Sequence, residues 1–153
     1  MTQPSILFLC TANYYRSRFA ELYFNHLAEK EGFGLRADSA ALEMEKWRSY
    51  NPGDISIHTL NAMKDLGFPH LGIPRAPKQF DPSQLGTIHR CIAMCESEHR
   101  PMVLRDHPEL VDQIEYWAVE DVEFEAVDSA IKRIRTLVES LLHELLGDSP
   151  KEL

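Results

Sequence analysis

Ile6, Leu7, Phe8 and Leu9 form an unbroken apolar run, too short for a helix and of the kind that a strand buried on both faces shows. Three later stretches, residues 34–39, 88–94 and 113–116, read as further strands. Between them the spacing changes to that of helices. Residues 17–31 place Ala20, Tyr23, Phe24, Leu27 and Ala28 on one face and stop before Gly32. Asp54 or Ser56 caps a second helix carrying Ile57, Leu60, Met63 and Leu66, ended by Gly67. Residues 68–81, with Pro69, Pro74 and Pro77, read as an irregular connection. Residues 96–105 read as a helix with Pro101 in its first turn. The clearest pattern is the last: Phe124, Val127, Ile131, Ile134, Val138, Leu141 and Leu145 step by three and four. That stripe covers one face of a sheet, and a weak homodimer through it stays open beside the monomer. Alternating strands and helices predict an α/β fold: an open, mostly parallel four-stranded sheet with helices on both faces. One catalytic domain over residues 1–147 and a short frayed tail over 148–153 complete the expected organisation.

Composition narrows the function. The chain has 153 residues, 44% hydrophobic and 26% charged, enough for one substantial core. A formal net charge of −8 argues against nucleic acid as a general partner. No stretch approaches the roughly 20 apolar residues of a membrane span, and the first residues lead straight into a strand, so the expected location is the cytosol, with no membrane partner. Three cysteines, Cys10, Cys91 and Cys95, make neither an even disulfide framework nor a zinc spacing, and the seven histidines lack paired ligand spacings. No metal or cofactor is expected.

Cys10 ends the first apolar run, Arg16 follows within one loop, and a helix opens at Ser17. A strand, tight loop and helix in that order aim backbone N–H groups and a helix N-terminus at one point beside the sulfur. Such a point attracts an anion, and the same field favours a thiolate. Arg16 can hold two oxygens of a phosphate in its planar fork. Asn13 tolerates a left-handed backbone and can brace the turn, while Ser17 can donate to the thiolate. In an open parallel sheet, ligands collect beyond the carboxyl ends of the strands, where Cys10, Cys95 and the loop after Tyr116 all fall.

The run Cys10, Thr11, Ala12, Asn13, Tyr14, Tyr15, Arg16, Ser17 resembles the phosphate-binding loop of the low-molecular-weight protein tyrosine phosphatases, which also carry it at the extreme N-terminus. Asp38, Ser39, Ala40, then Trp47, Asn51 and Pro52 resemble the family's second strand and the aromatic loop beside its cleft. Ile92, Ala93, Met94 resembles its fourth strand, and the run from Tyr116 to Asp121 its late acid-bearing loop. The resemblance implies the phosphotyrosine protein phosphatase I-like fold and hydrolysis of phosphomonoesters, foremost protein phosphotyrosine, through a phosphocysteine on Cys10. It implies Arg16 and the loop amides from Thr11 to Ser17 as the phosphate cradle, and Asp121 as general acid and base. Tyr14, Tyr15, Trp47 and Tyr50 would line a cleft for a flat phenyl phosphate, with Tyr14 and Tyr15 exposed at its mouth. The chain departs from the family at three points. Ala12 stands where glycine is frequent and requires a negative φ. Tyr15 stands where a second cysteine is common, and Asp121 lacks its flanking prolines, which leaves Glu120 as a competing acid.

Two further readings stay open. A thiol-dependent arsenate reductase on the same scaffold would use Cys10 with Cys95 as resolving thiol. Cys91 lies roughly 13 Å along the strand from Cys95, beyond disulfide reach, and reads as a core thiol. A phosphate- or phosphopeptide-binding module that has lost turnover is the third reading.

Overall fold

A computed structural model describes residues 3–68 and 75–148. Its sheet contains β1 (Ile6–Cys10), β2 (Ala37–Ala41), β3 (Arg90–Ala93) and β4 (Glu115–Tyr116) in the order β2-β1-β3-β4, every pairing parallel. The α-helices among the described residues are α1 (Arg16–Lys30), α2 (Met44–Trp47), α3 (Ile57–Asp65), α4 (Glu96–Asp106) and α5 (Val127–Asp148). The α/β expectation is borne out, with strand bounds shifted by up to three residues at most ends. Residues 69–74, including Pro69 and Pro74, and the tail 149–153 lie outside the described residues.

All five residues of β1 are buried because both of its faces are covered. Ile6, Phe8 and Cys10 face α1 and α5, where Phe19, Phe24, Ile134 and Val138 complete one core layer. Leu7 and Leu9 face the opposite layer, with Ala40, Ala93 and Val103. The chain leaves β1 to build β2 on one side, then returns to build β3 on the other. That reversal opens a crevice at the carboxyl ends of β1 and β3, the natural ligand position in such a sheet. The loop after β1 and the start of α4 after β3 face each other across it.

Local signals fix the helix ends. The side chain of Ser56, rather than Asp54, accepts from His58 N–H at 3.1 Å and caps α3, while Gly67 takes φ 77° past its end, as a helix C-terminus favours. Ile57, expected in the core, is instead exposed. Pro101 does not lie in the first turn of α4: it is the sixth residue of a helix that starts at Glu96, so its missing N–H removes one interior bond at a solvent-facing position. Phe124 continues the spacing of the last helix but stands outside it and is 75% exposed. Asp148, expected to open the frayed tail, is the last residue of α5.

Ile134 is fully buried between α5 and the sheet. Ile134→Ala is expected to destabilise the fold by about 2–5 kcal/mol. Phe124→Ala should stay within about 0.5 kcal/mol. Urea unfolding of both variants measures the difference, and equal losses would contradict the placement of Phe124 outside the core.

Candidate active site

The turn after Cys10 needs one residue with a left-handed backbone, and Asn13 takes it at φ 53°. Among the described residues it is the only non-glycine with positive φ, so Ala12 satisfies the requirement set by its side chain. Four hydrogen bonds hold the Asn13 side chain. Its amide donates to Ser17 Oγ and Ser39 Oγ at 2.8 Å each, and its carbonyl accepts from Arg75 Nη1 at 2.9 Å and Lys78 N–H at 3.2 Å. Arg75 also reaches Glu21 at 3.0 Å and Ser39 O at 2.9 Å, so α1, β2 and the segment before β3 meet behind the loop. Ser17 Oγ, already an acceptor from Asn13, lies 3.0 Å from Cys10 Sγ and is placed to donate to it.

The N-terminus of α1 carries no side-chain cap. Its first N–H groups are therefore left for another acceptor, and they face the mouth of the loop. Around that mouth is a cleft of about 950 Å³ lined by Cys10, Thr11, Ala12, Tyr14, Tyr15, Arg16, Trp47, Tyr50 and Asp121, among others. Cys10, Arg16 and Asp121 thus border one cavity, whereas Cys95 and Glu120 do not. Asn13 and Ser17 do not line it. They are buried behind the loop and act on its shape and on the sulfur. Tyr15 also departs from expectation: it borders the cleft but is only 6% exposed, packed edge-on against His58, and its hydroxyl has no hydrogen-bond partner among the described residues. Burial first, then the nearby Asp121 carboxylate, pushes the Tyr15 phenol up to about 12. Tyr14 is half-buried and donates to Pro52 O at 2.6 Å, tying the loop to the aromatic wall of Trp47 and Tyr50.

Arg16 is 2% exposed and its partners are distributed unequally. Nη1 donates to Glu98 Oε1 at 2.9 Å and to Val119 O at 3.0 Å, while Nη2 donates to Glu98 Oε2 at 2.8 Å. Nε–H and the second Nη2 hydrogen form the side fork of the guanidinium, and these bonds leave that fork to a ligand. Asp121 Oδ2 stands 3.8 Å from Nη2, a charge contact rather than a hydrogen bond.

Glu98 and His99 were not among the residues singled out from the sequence, where Glu96, Ser97, Glu98 and His99 look like the wet start of a helix. The usable signal was topological: they follow the strand that borders β1 at the crevice. Burial raises the pKa of the Glu98 carboxyl, but hydrogen bonds from His99 and Arg16 and the charge of Arg16 outweigh it and hold the group well below its ordinary range.

Cys95 does not join Cys10. Its sulfur lies 3.4 Å from Ser97 Oγ and 3.5 Å from Glu120 Oε1, and all three cysteines are free thiols. The Glu120 carboxyl is thereby engaged beside Cys95, whereas Asp121 borders the cleft. The acid loop lacks prolines, and Glu125 fixes it instead: its carboxylate accepts from Glu120 N–H at 3.1 Å, Ser129 Oγ at 2.7 Å and Arg133 Nε at 3.2 Å.

The family model of the low molecular weight phosphotyrosine protein phosphatases matches residues 5–153. The chain belongs to that family. No curated protein sequence matches it significantly. Its fold is shared by YfkJ from Bacillus subtilis, at 21% identity and a TM-score of 0.80 over 98% of this chain and 99% of that one. It is shared also by the low molecular weight protein tyrosine phosphatase SP-PTP from Streptococcus pyogenes, at 18% identity and a TM-score of 0.76 over 93% of each chain. YwlE arginine phosphatase from Geobacillus stearothermophilus matches at 20% identity and a TM-score of 0.68, over 97% of this phosphatase and 99% of its own chain.

Asn13→Ala leaves an ordinary side chain at φ 53° and removes four bonds, for an expected loss of about 2–4 kcal/mol. Asn13→Gly relieves the backbone alone and should recover about 1–2 kcal/mol of it, read by urea unfolding; no recovery would remove the strain. Glu98 has its pKa depressed from 4.5, so its stabilising effect is complete above about that pH and drains away as the pH falls toward the folded value. Glu98→Gln should flatten the dependence of Tm on pH below about 4.5, and an unchanged slope would assign acid unfolding to other groups.

Proposed function

We propose that this phosphatase hydrolyses phosphomonoesters, with phosphotyrosine in polypeptides foremost, in two steps through a phosphocysteine. The observation that carries the reading is a sulfur, an open guanidinium fork and a carboxyl on one cavity: Cys10, Arg16 and Asp121. The Cys10 thiolate attacks phosphorus, the ester P–O bond breaks, and the leaving oxygen takes a proton from Asp121. Water then attacks the phosphocysteine, giving its proton to Asp121, and the P–S bond breaks to return thiolate and free phosphate. The Arg16 side fork and the open N–H groups of Thr11 to Ser17 bear the charge of the transferring phosphoryl group. Ser17 steadies the thiolate as nucleophile and as leaving group.

The half-buried and exposed rings of Tyr14, Trp47, Tyr50 and Phe124 on the cleft favour a flat aromatic ester. Because the structural neighbours include YwlE arginine phosphatases, phosphoarginine is the competing substrate. Arsenate reduction is less well supported, since the Cys95 sulfur is engaged by Ser97 and Glu120.

Stopped-flow turnover of p-nitrophenyl phosphate by the reduced protein tests the mechanism. A burst that vanishes in Cys10→Ser is expected, and Asp121→Asn should slow a poor leaving group by about 10²–10⁴-fold and a good one less. Turnover that survives Cys10→Ser would refute the mechanism. Peptides carrying phosphotyrosine or phosphoarginine then settle the substrate. Cys10-dependent arsenite production without ester turnover would make the protein a reductase, and oxyanion binding without either activity would make it a binding module.

A further inference from the structure

His99 is fully buried, and its ring has two defined partners. Nδ1 accepts from Cys95 N–H at 3.0 Å, so in the neutral imidazole the hydrogen is on Nε2. Nε2 faces Thr11 Oγ1 at 3.0 Å and Glu98 Oε2 at 3.3 Å. The Thr11 hydroxyl in turn donates to Glu98 Oε2, whose carboxylate receives both Nη groups of Arg16. The hydrogens run in one direction: Cys95 N–H to His99, His99 to Thr11, Thr11 to Glu98, with Arg16 closing the end. Burial lowers the pKa of His99 and favours this neutral form, although the Glu98 carboxylate acts in the opposite sense.

We propose that Glu98 is a positioning residue for phosphoryl transfer: fixed by Thr11 and His99, it takes the end of the Arg16 guanidinium and turns the side fork toward phosphate. Thr11 and His99 act through Glu98. The inference rests on the phosphatase reading of this cleft. A guanidinium can present a phosphate with either its end or its side, and a carboxylate held on the end leaves one choice. The alternative is that Glu98 only neutralises a buried charge, which would alter stability while leaving each folded molecule unchanged.

Thr11→Val removes the hydroxyl with little change in shape and is the variant least prone to unfold. Inhibition by inorganic phosphate, turnover of p-nitrophenyl phosphate and unfolding in urea are measured together. Thr11→Val is expected to weaken phosphate inhibition and kcat/KM each on the order of tenfold, with Thr11→Ser restoring both to within about twofold. Glu98→Ala, which frees Arg16 entirely, should lower kcat/KM by about 10²–10³-fold, the loss seen when one oxyanion donor is removed. NMR of the Arg16 guanidinium should show slow rotation about Nε–Cζ in the parent and fast rotation in Glu98→Ala. Folded Thr11→Val with unchanged phosphate inhibition, or unchanged Arg16 rotation in folded Glu98→Ala, would overturn the proposal. If the parent protein hydrolyses no ester, the phosphatase reading fails, while phosphate titration and Arg16 rotation still decide whether Glu98 sets the fork.

Discussion

A guanidinium stays protonated at any working pH, so burying Arg16 commits the fold to keeping a permanent charge almost out of water. Such a charge is tolerated only when it is paired and hydrogen-bonded in good geometry. Glu98 supplies the pair, and Val119 O supplies a further acceptor. These partners come from the segments following β3 and β4, whereas Arg16 follows β1. The crevice between the strand ends is therefore closed at its base by a cross-link that the sheet topology makes available. Removing one side of a buried pair typically costs about 3–5 kcal/mol, more than replacing the pair by apolar groups would. The arrangement is thus a weak explanation of stability and a better one of where the positive charge points.

The loop itself is shaped from behind. Asn13 accepts the backbone strain of a left-handed turn and is held by Arg75, Lys78, Ser17 and Ser39. Arg18, buried in the first turn of α1, donates to Asp54 O at 2.9 Å, while Thr59 Oγ1 donates to Tyr15 O at 3.0 Å. Burial and the nearby Arg75 lower the Arg18 pKa to about 10. Two cations therefore stand behind a loop that presents N–H groups at its front. Their field reinforces the one from the open helix N-terminus, and the anion-binding character comes from both sides of the backbone.

Strongly patterned segments were legible in the sequence. Ile6 to Leu9 announced a doubly covered strand, and Ile134, Val138 and Leu141 announced a buried helical face. The loop from Cys10 to Ser17 was legible because strand, loop and helix follow one another without a break. Phe124 shows the limit of periodicity: it keeps the spacing of α5 but precedes the helix start, where Glu125 bonds back to Glu120 and the chain turns toward the cleft. Glu98, His99 and Arg75 were illegible for another reason. Their partners are 82, 88 and 62 residues away in the chain, and no local pattern reports contacts made by tertiary closure. Glu125 replacing the missing prolines belongs to the same class, since a capping carboxylate is recognisable only once its acceptor geometry is known.

The acid loop and the arginine compete for the same space, and the outcome bears on chemistry. Two carboxyls approach Arg16: Glu98 at 2.8 Å and Asp121 at 3.8 Å. Glu98 occupies the end of the guanidinium, and Asp121, on the side that remains, stays at charge-contact distance and makes no hydrogen bond to it. Its Oδ1 instead accepts Val122 N–H at 2.8 Å, which orients the group without removing Oδ2 from the cavity. A carboxyl that must serve a leaving oxygen in one step and a water in the next needs this intermediate restraint: tight enough to stay within reach, loose enough to turn between two oxygens on one phosphorus. Asp121 is in that condition, held by Val122 N–H and only in charge contact with Arg16, so the residue proposed to hold phosphate and the one proposed to move the proton meet without pinning each other.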